Sequence, residues 1–201
     1  MSVIDTPSIN RAERRKLQTY EALKQATREL LLESDYQDLT IQAITERADF
    51  GYGTFYLHFE SKDEIVWTVI EEFLEAESAN VNTEMLSLPF PRREFVSWKI
   101  FFGNIRAQAD SFVRLYGQNG SAYLHQKMVD YLARSHFRNL SAGVYSFGMD
   151  DAPPIEFMSQ FAAGAMIRLC LWWLESENEY TPEDMAAMLF RMVYRTAPPS
   201  E

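Results

Sequence analysis

Only one of the 201 residues is cysteine, Cys170. No disulfide within the chain and no cluster of thiolates for a metal can form, and the apolar neighbours of Cys170 do nothing to activate its thiol. It reads as a small core residue. Histidine is nearly as scarce: His58, His125 and His136 stand too far apart to supply the paired ligands of a helical metal site. There is no nucleophile elbow and no phosphate loop. Gly51-Tyr52-Gly53 lacks both the third glycine and the preceding strand of a dinucleotide fingerprint. Enzymatic chemistry is short of parts, and neither a metal nor a cofactor is expected.

A long apolar run is missing too. The stretch Phe161 to Leu174 is shorter than a bilayer span and carries Arg168 in its middle, so a buried helix explains it better. Met1 to Asn10 lacks the apolar segment of a leader, which leads us to expect a cytoplasmic protein with no membrane partner. Repeats and low-complexity tracts are absent, which excludes a solenoid.

Positive charge is in deficit: 19 Lys and Arg face 29 Asp and Glu, a net charge of −10. Residues 1–60 carry net −3 and residues 61–201 net −7, so neither part has the basic surface that draws a protein to nucleic acid non-specifically. Binding to DNA would have to rest on local placement. One such place is Arg11, Arg14, Arg15 and Lys16 against Glu13, which reads as a basic arm over 11–16, before the first helix, able to follow a phosphate backbone.

What the chain does have is apolar side chain, 47% of residues with 14% aromatic, spaced at threes and fours. This spacing predicts an all-α fold of nine helices and no strand. The first runs over 17–33. A short second follows Thr40, a cap residue placed just before Ile41, Ile44 and Ala48. Asp49-Phe50-Gly51 makes a turn in which Gly51 supplies a positive backbone angle, and a short third helix covers 52–58. Ser61 and Glu64 form a capping box opening a long fourth helix to the mid-80s. Pro89 and Pro91 interrupt it. Helices follow at 92–109, 110–116, 121–147 and 155–176, and a last one opens at Thr181-Pro182.

The two short helices around the turn make a helix-turn-helix candidate. The segment from Thr40 through GTFYLHFESKDEI, Gly53 to Ile65, closely resembles the DNA-binding segment of the TetR family. Phe55 and Phe59, four apart, can face a core with Ile41, Ile44, Leu30 and Phe50, leaving Tyr52, Thr54, Tyr56 and His58 outward. The resemblance implies that Thr40, Tyr56 and Lys62 contact phosphates of a double-stranded operator. It further implies that Tyr52 and Thr54 meet base edges and that Gly53 permits close approach. Gly51 stands where the family often has a small capping hydroxyl, and Tyr52 where it often has Lys or Arg.

On this reading residues 1–60 are a DNA-binding domain and residues 61–201 an effector-binding and dimerisation domain. The resemblance implies a homodimer whose last two helices pair with their copies, through Ala162, Ala165, Leu169, Trp173, Met185, Met188, Leu189 and Met192. Aromatic residues in the middle helices suit an apolar cavity for a hydrophobic or aromatic effector, with Phe101, Asn104, Gln108, Tyr123, His136 and Arg168 as candidate contacts. Family habit implies a repressor released from a palindromic operator by that effector. The competing reading is an all-helical ligand-binding or scaffold protein without specific DNA binding.

Overall fold

The computed structural model describes residues 10–79, 87–144 and 151–199. Among these residues there are nine α-helices and no strand. The chain forms two compact units, Met1–Ala76 and Glu77–Glu201.

The first unit holds α1 (Arg11–Glu33), α2 (Ile41–Arg47), α3 (Tyr52–Phe55) and most of α4 (Lys62–Ala79). α1 begins six residues before its apolar stripe because Asn10 and Glu13 cap each other. The Asn10 side chain accepts from the N–H groups of Ala12 and Glu13, and the Glu13 carboxylate accepts from the Asn10 N–H. The basic cluster at 11–16 is therefore the opening of α1 and not an arm ahead of it. Thr40 caps α2 as expected, accepting from the Ala43 N–H at 3.1 Å.

In the following turn the positive angle belongs to Asp49, with φ 59°. Gly51 is extended (φ −70°, ψ 148°) and precedes α3 without any side-chain cap. Asp tolerates the left-handed region better than most residues, and the turn takes its handedness there. Ser61 accepts from the Glu64 N–H at 3.1 Å, while the Glu64 carboxylate accepts from the N–H of Glu60, one residue outside a reciprocal box.

Leu23, Leu39, Ile44, Phe55, Phe59, Ile65 and Val66 are buried. Phe59 stacks on Tyr20 with ring centroids 5.0 Å apart and tilts against Phe55 at 5.7 Å. Burial of side chains this size stabilises by roughly 1.5–3 kcal/mol each. Leu30, Ile41 and Phe50, expected in the core, are half-buried at its edge. Glu72 of α4 ties the unit together, accepting from buried Lys24 and from Arg28 of α1. Arg47 of α2 pairs with Glu33 at 2.6 Å and Glu29 at 3.3 Å.

The second unit holds α5 (Arg92–Ala107), α6 (Ala109–Tyr116), α7 (Ala122–Ser141), α8 (Ile155–Glu175) and α9 (Pro182–Tyr194). α8 packs along α7, and α9 packs along α5. Phe102, Cys170, Trp173, Met185, Ala186 and Phe190 form the centre of its core, and burial pushes the Cys170 thiol up to about 12. α7 ends at Ser141, earlier than the expected 147, because Gly143 takes φ +67° and the Val144 N–H turns back to the Asn139 carbonyl. The remainder of the expected range, including Tyr145 and Phe147, lies outside the described residues, as does the expected end of α4.

α8 is 21 residues long and by length and composition alone could cross a membrane, whereas its apolar centre alone reads as too short. Eight of its residues are buried within the unit, as in the core helix of a globular body.

Candidate functional site

The short third helix exists because Phe55 anchors it. With Phe55 fully buried and Phe59 nearly so, the residues between and before them are forced to the surface. Tyr52 and Tyr56 are half exposed, their hydroxyls 3.0 Å apart and their rings edge to face at 5.5 Å. Their hydrogen bond raises the Tyr56 pKa. Gly53 is exposed, and a β-carbon built there would meet nothing within 4 Å. Thr54 is half-buried beside it. Leu57, absent from the sequence-derived set, is 73% exposed on the adjoining turn.

Thr40 is exposed at the head of α2. Its oxygen accepts the capping bond, so its hydroxyl proton can still be given to a phosphate. Lys62 is more engaged than a free surface lysine. Its ammonium donates to the Tyr36 carbonyl at 2.9 Å and lies 4.1 Å over the Tyr36 ring, and burial lowers its pKa. An ammonium has three donors, so one bond to Tyr36 orients the group without exhausting it. His58 is half-buried against Tyr20, 6.2 Å between centroids, and burial with nearby Lys16 lowers its pKa. It is less outward than its place in the motif implies. Arg11, Arg14, Arg15 and Lys16 are all exposed on the opening turns of α1.

The second unit carries a cavity of about 290 Å³, open to solvent beside Phe161 and Met192 and lined from α5, α7, α8 and α9. Of the six candidate effector contacts, Phe101 and His136 line it. Asn104, Gln108, Tyr123 and Arg168 do not, and all four are exposed. Arg168 keeps its guanidinium at the solvent edge of α8 although its neighbours in sequence are apolar. Tyr123 lies under the Lys127 ammonium at 5.3 Å.

Sequence reasoning missed Trp98, Ser97, Asn139 and the adjacent Arg93 and Glu94, which also line the cavity. Glu94 is 3% exposed. Periodicity places it on the inward face of α5 with Phe95 and Trp98 nearby, but a glutamate is normally assigned to the surface. Burial lowers the His136 pKa to about 4.

Among the residues assigned to pairing, Trp173 and Met185 are 1% exposed. The Trp173 indole donates to the Tyr180 carbonyl at 2.9 Å. Side chains enclosed in their own unit have no surface to give a partner, so these two serve the core. Ala162 and Leu189 are buried and line the cavity, while Leu169 is half-buried. Ala165, Met188 and Met192 are exposed, as are Phe157, Phe161 and Trp172 on α8, and of these Ala165, Met192 and Phe161 also line the cavity.

Residues 23–67 match the family model described as bacterial regulatory proteins, tetR family, and residues 101–195 match one described as transcriptional regulator C-terminal region. Over 60 residues, 29% of this chain, the sequence is 38% identical to an uncharacterized HTH-type transcriptional regulator, YxbF, of Bacillus subtilis (strain 168), of which the match spans only 16%. The fold is similar to that of RolR in complex with the ligand resorcinol, with 22% identity, a TM-score of 0.60, and coverage of 90% of this chain and 89% of that one. It is also similar to the transcriptional regulator FadR of Bacillus subtilis in complex with stearoyl-CoA, at 15% identity, TM-score 0.54, 87% of this chain and 97% of that one. At these identities the likeness speaks for the fold.

Proposed function

The chain belongs to the tetR family of bacterial regulatory proteins, and from that membership we propose that it is a transcriptional repressor that leaves a palindromic operator when a small molecule enters the cavity of its second unit. The observation that carries the reading is the surface around α3. Phe55 and Phe59 are sunk in the core, and Tyr52, Gly53, Tyr56 and the exposed cap Thr40 are left free. A short helix that presents hydroxyls and a bare backbone is suited to enter a major groove.

In this reading Thr40, Tyr56 and Lys62 hold phosphates, Tyr52 and Thr54 meet bases, and the exposed cations of α1 offset a head of negative net charge. His58 plays a packing part. Residues 1–60, with Lys62 just beyond them, do the reading, and residues 61–201 bind the effector and pair with a second copy through Met188 and Leu169 together with Ala165 and Met192, which stand where the assigned face meets the cavity. Resorcinol and stearoyl-CoA, held by two regulators of similar fold, are so unlike that the effector must be inferred from the cavity itself. Binding of operator and effector, rather than catalysis, is the activity.

A gel-shift titration of the full chain on DNA flanking its own gene, against a shuffled duplex, tests this. A specific complex at least about 10³-fold tighter than the shuffled one is expected. Equal affinity for both would favour the helical ligand-binding or scaffold reading.

A further inference from the structure

The side chains that α8 leaves in solvent form one stripe. Phe157, Phe161, Gly164, Ala165, Arg168 and Trp172 are all exposed. At 3.6 residues per turn they fall within about 100° of the helix circumference, over roughly 22 Å of its length. Arg168 is the only charge on the helix between Glu156 and Glu175. Phenylalanine and tryptophan side chains held in water along a single face are more than scattered surface apolarity, and such a face marks a contact site.

The same stripe forms one rim of the cavity. Phe161 and Ala165 belong to both, Met192 of α9 stands exposed at the same opening, and Ala162 and Met166 continue the wall inward. Whatever covers the stripe therefore also covers the mouth.

The order of residues along the stripe fits a second copy of itself. In a two-fold pair the same surface meets itself. Two α8 helices laid antiparallel across an axis between Gly164 and Ala165 bring each stripe onto its own complement. Gly164 meets the partner's Ala165, so the smallest side chains lie where the backbones come nearest. Phe161 meets Arg168 of the partner subunit, whose guanidinium can rest on the ring face and needs no carboxylate there. Phe157 meets the partner's Trp172, a pair of rings that gains beyond the area it buries. An axis one turn further along the helix would instead set Arg168 against its own copy, like charge against like.

On the reading that this face pairs and that the cavity holds the effector, we propose that a second copy closes the cavity. Its α8 lies across the mouth with Arg168 of the partner subunit over the Phe161 ring, and the effector site is complete only in the dimer. A ligand enclosed in this way tightens the pair by the same factor by which pairing tightens the ligand.

Single cysteines placed in the full-length protein test this, since Cys170 is 1% exposed and burial pushes its thiol up to about 12, which keeps it silent. Sedimentation velocity gives the dimer dissociation constant. On mild oxidation Ala165→Cys couples to its own copy, whereas Phe157→Cys, about 22 Å from its copy, does not. Met192→Cys reacts with a maleimide at least about 10-fold more slowly at roughly 100 times that constant than well below it, because mass action leaves few open subunits. A dimer in which Met192→Cys reacts equally fast at both concentrations overturns the closed mouth and leaves the pairing of the two copies standing. Coupling of Phe157→Cys in place of Ala165→Cys overturns the register, and with it the contact of Arg168 on Phe161. A protein that stays monomeric overturns the pairing itself, and the closure with it.

Discussion

On the proposed reading, Lys62 carries both structure and recognition. Its bond to the Tyr36 carbonyl and its place over the Tyr36 ring fix the ammonium at the start of α4, where the positive end of the helix adds to its pull on a phosphate. Lys62→Ala should weaken binding to all duplexes alike and lower the slope of log affinity against log salt by about 1 for each protomer bound. Fluorescence anisotropy over a range of salt concentrations checks this, and an unchanged slope would remove Lys62 from the phosphate contacts.

His136 offers a second residue-scale prediction. Its folded pKa of about 4 lies below the ordinary 6.5, so between those values the unfolded chain takes up a proton that the folded one refuses. Stability is therefore whole above pH 6.5 and falls as the pH drops toward 4, by on the order of 2 kcal/mol between pH 7 and pH 5. Thermal melts should show His136→Gln losing less over that interval than the unaltered protein; equal losses would contradict it. At this scale the inward aromatics Phe55 and Phe59 were legible from their spacing. Glu94 was not, since burial of a carboxylate depends on a neighbour's guanidinium and a cavity that no local pattern encodes.

At the scale of elements, the caps were the readable part: Thr40, Ser61 and Thr181 all stand where their helices begin. The start of α1 was as readable in principle, for Asn10 and Glu13 have the spacing of a capping box, but a density of charge like that at 11–16 is equally the mark of an extended arm. The end of α7 turned on one glycine, Gly143, and the handedness of the turn before α3 fell to Asp49 because Gly51 was needed as an extended entry to α3. Asn10→Ala removes the side chain that holds the first turn of α1 and should cost about 1 kcal/mol of stability. It should also loosen Arg11, Arg14 and Arg15, lowering DNA affinity several-fold with little change in sequence preference. Chemical denaturation and a binding titration read the two effects, and a stability loss with unaltered DNA affinity would take the basic turns out of the interface.

For the whole molecule, the helical class and the nine helices among the described residues followed from periodicity, and the motif around Gly53–Ile65 pointed to the family. The lining of the cavity was out of reach because it is assembled from four helices distant in sequence. α4 begins at Lys62 in the first unit and runs past the division at 76/77, so chain continuity between the two units passes through it. If the protein is a ligand-released repressor, the coupling has a thermodynamic signature. The factor by which a bound effector weakens the operator complex must equal the factor by which operator weakens effector binding, and a coupling of roughly 1–3 kcal/mol makes that about 5- to 150-fold. The direct measurement is a pair of titrations on the full-length protein, operator with and without saturating ligand and ligand with and without saturating operator. The account predicts the same factor in both directions, with each ligand weakening the other, whereas ligand bound in the cavity with no change in either affinity would contradict it.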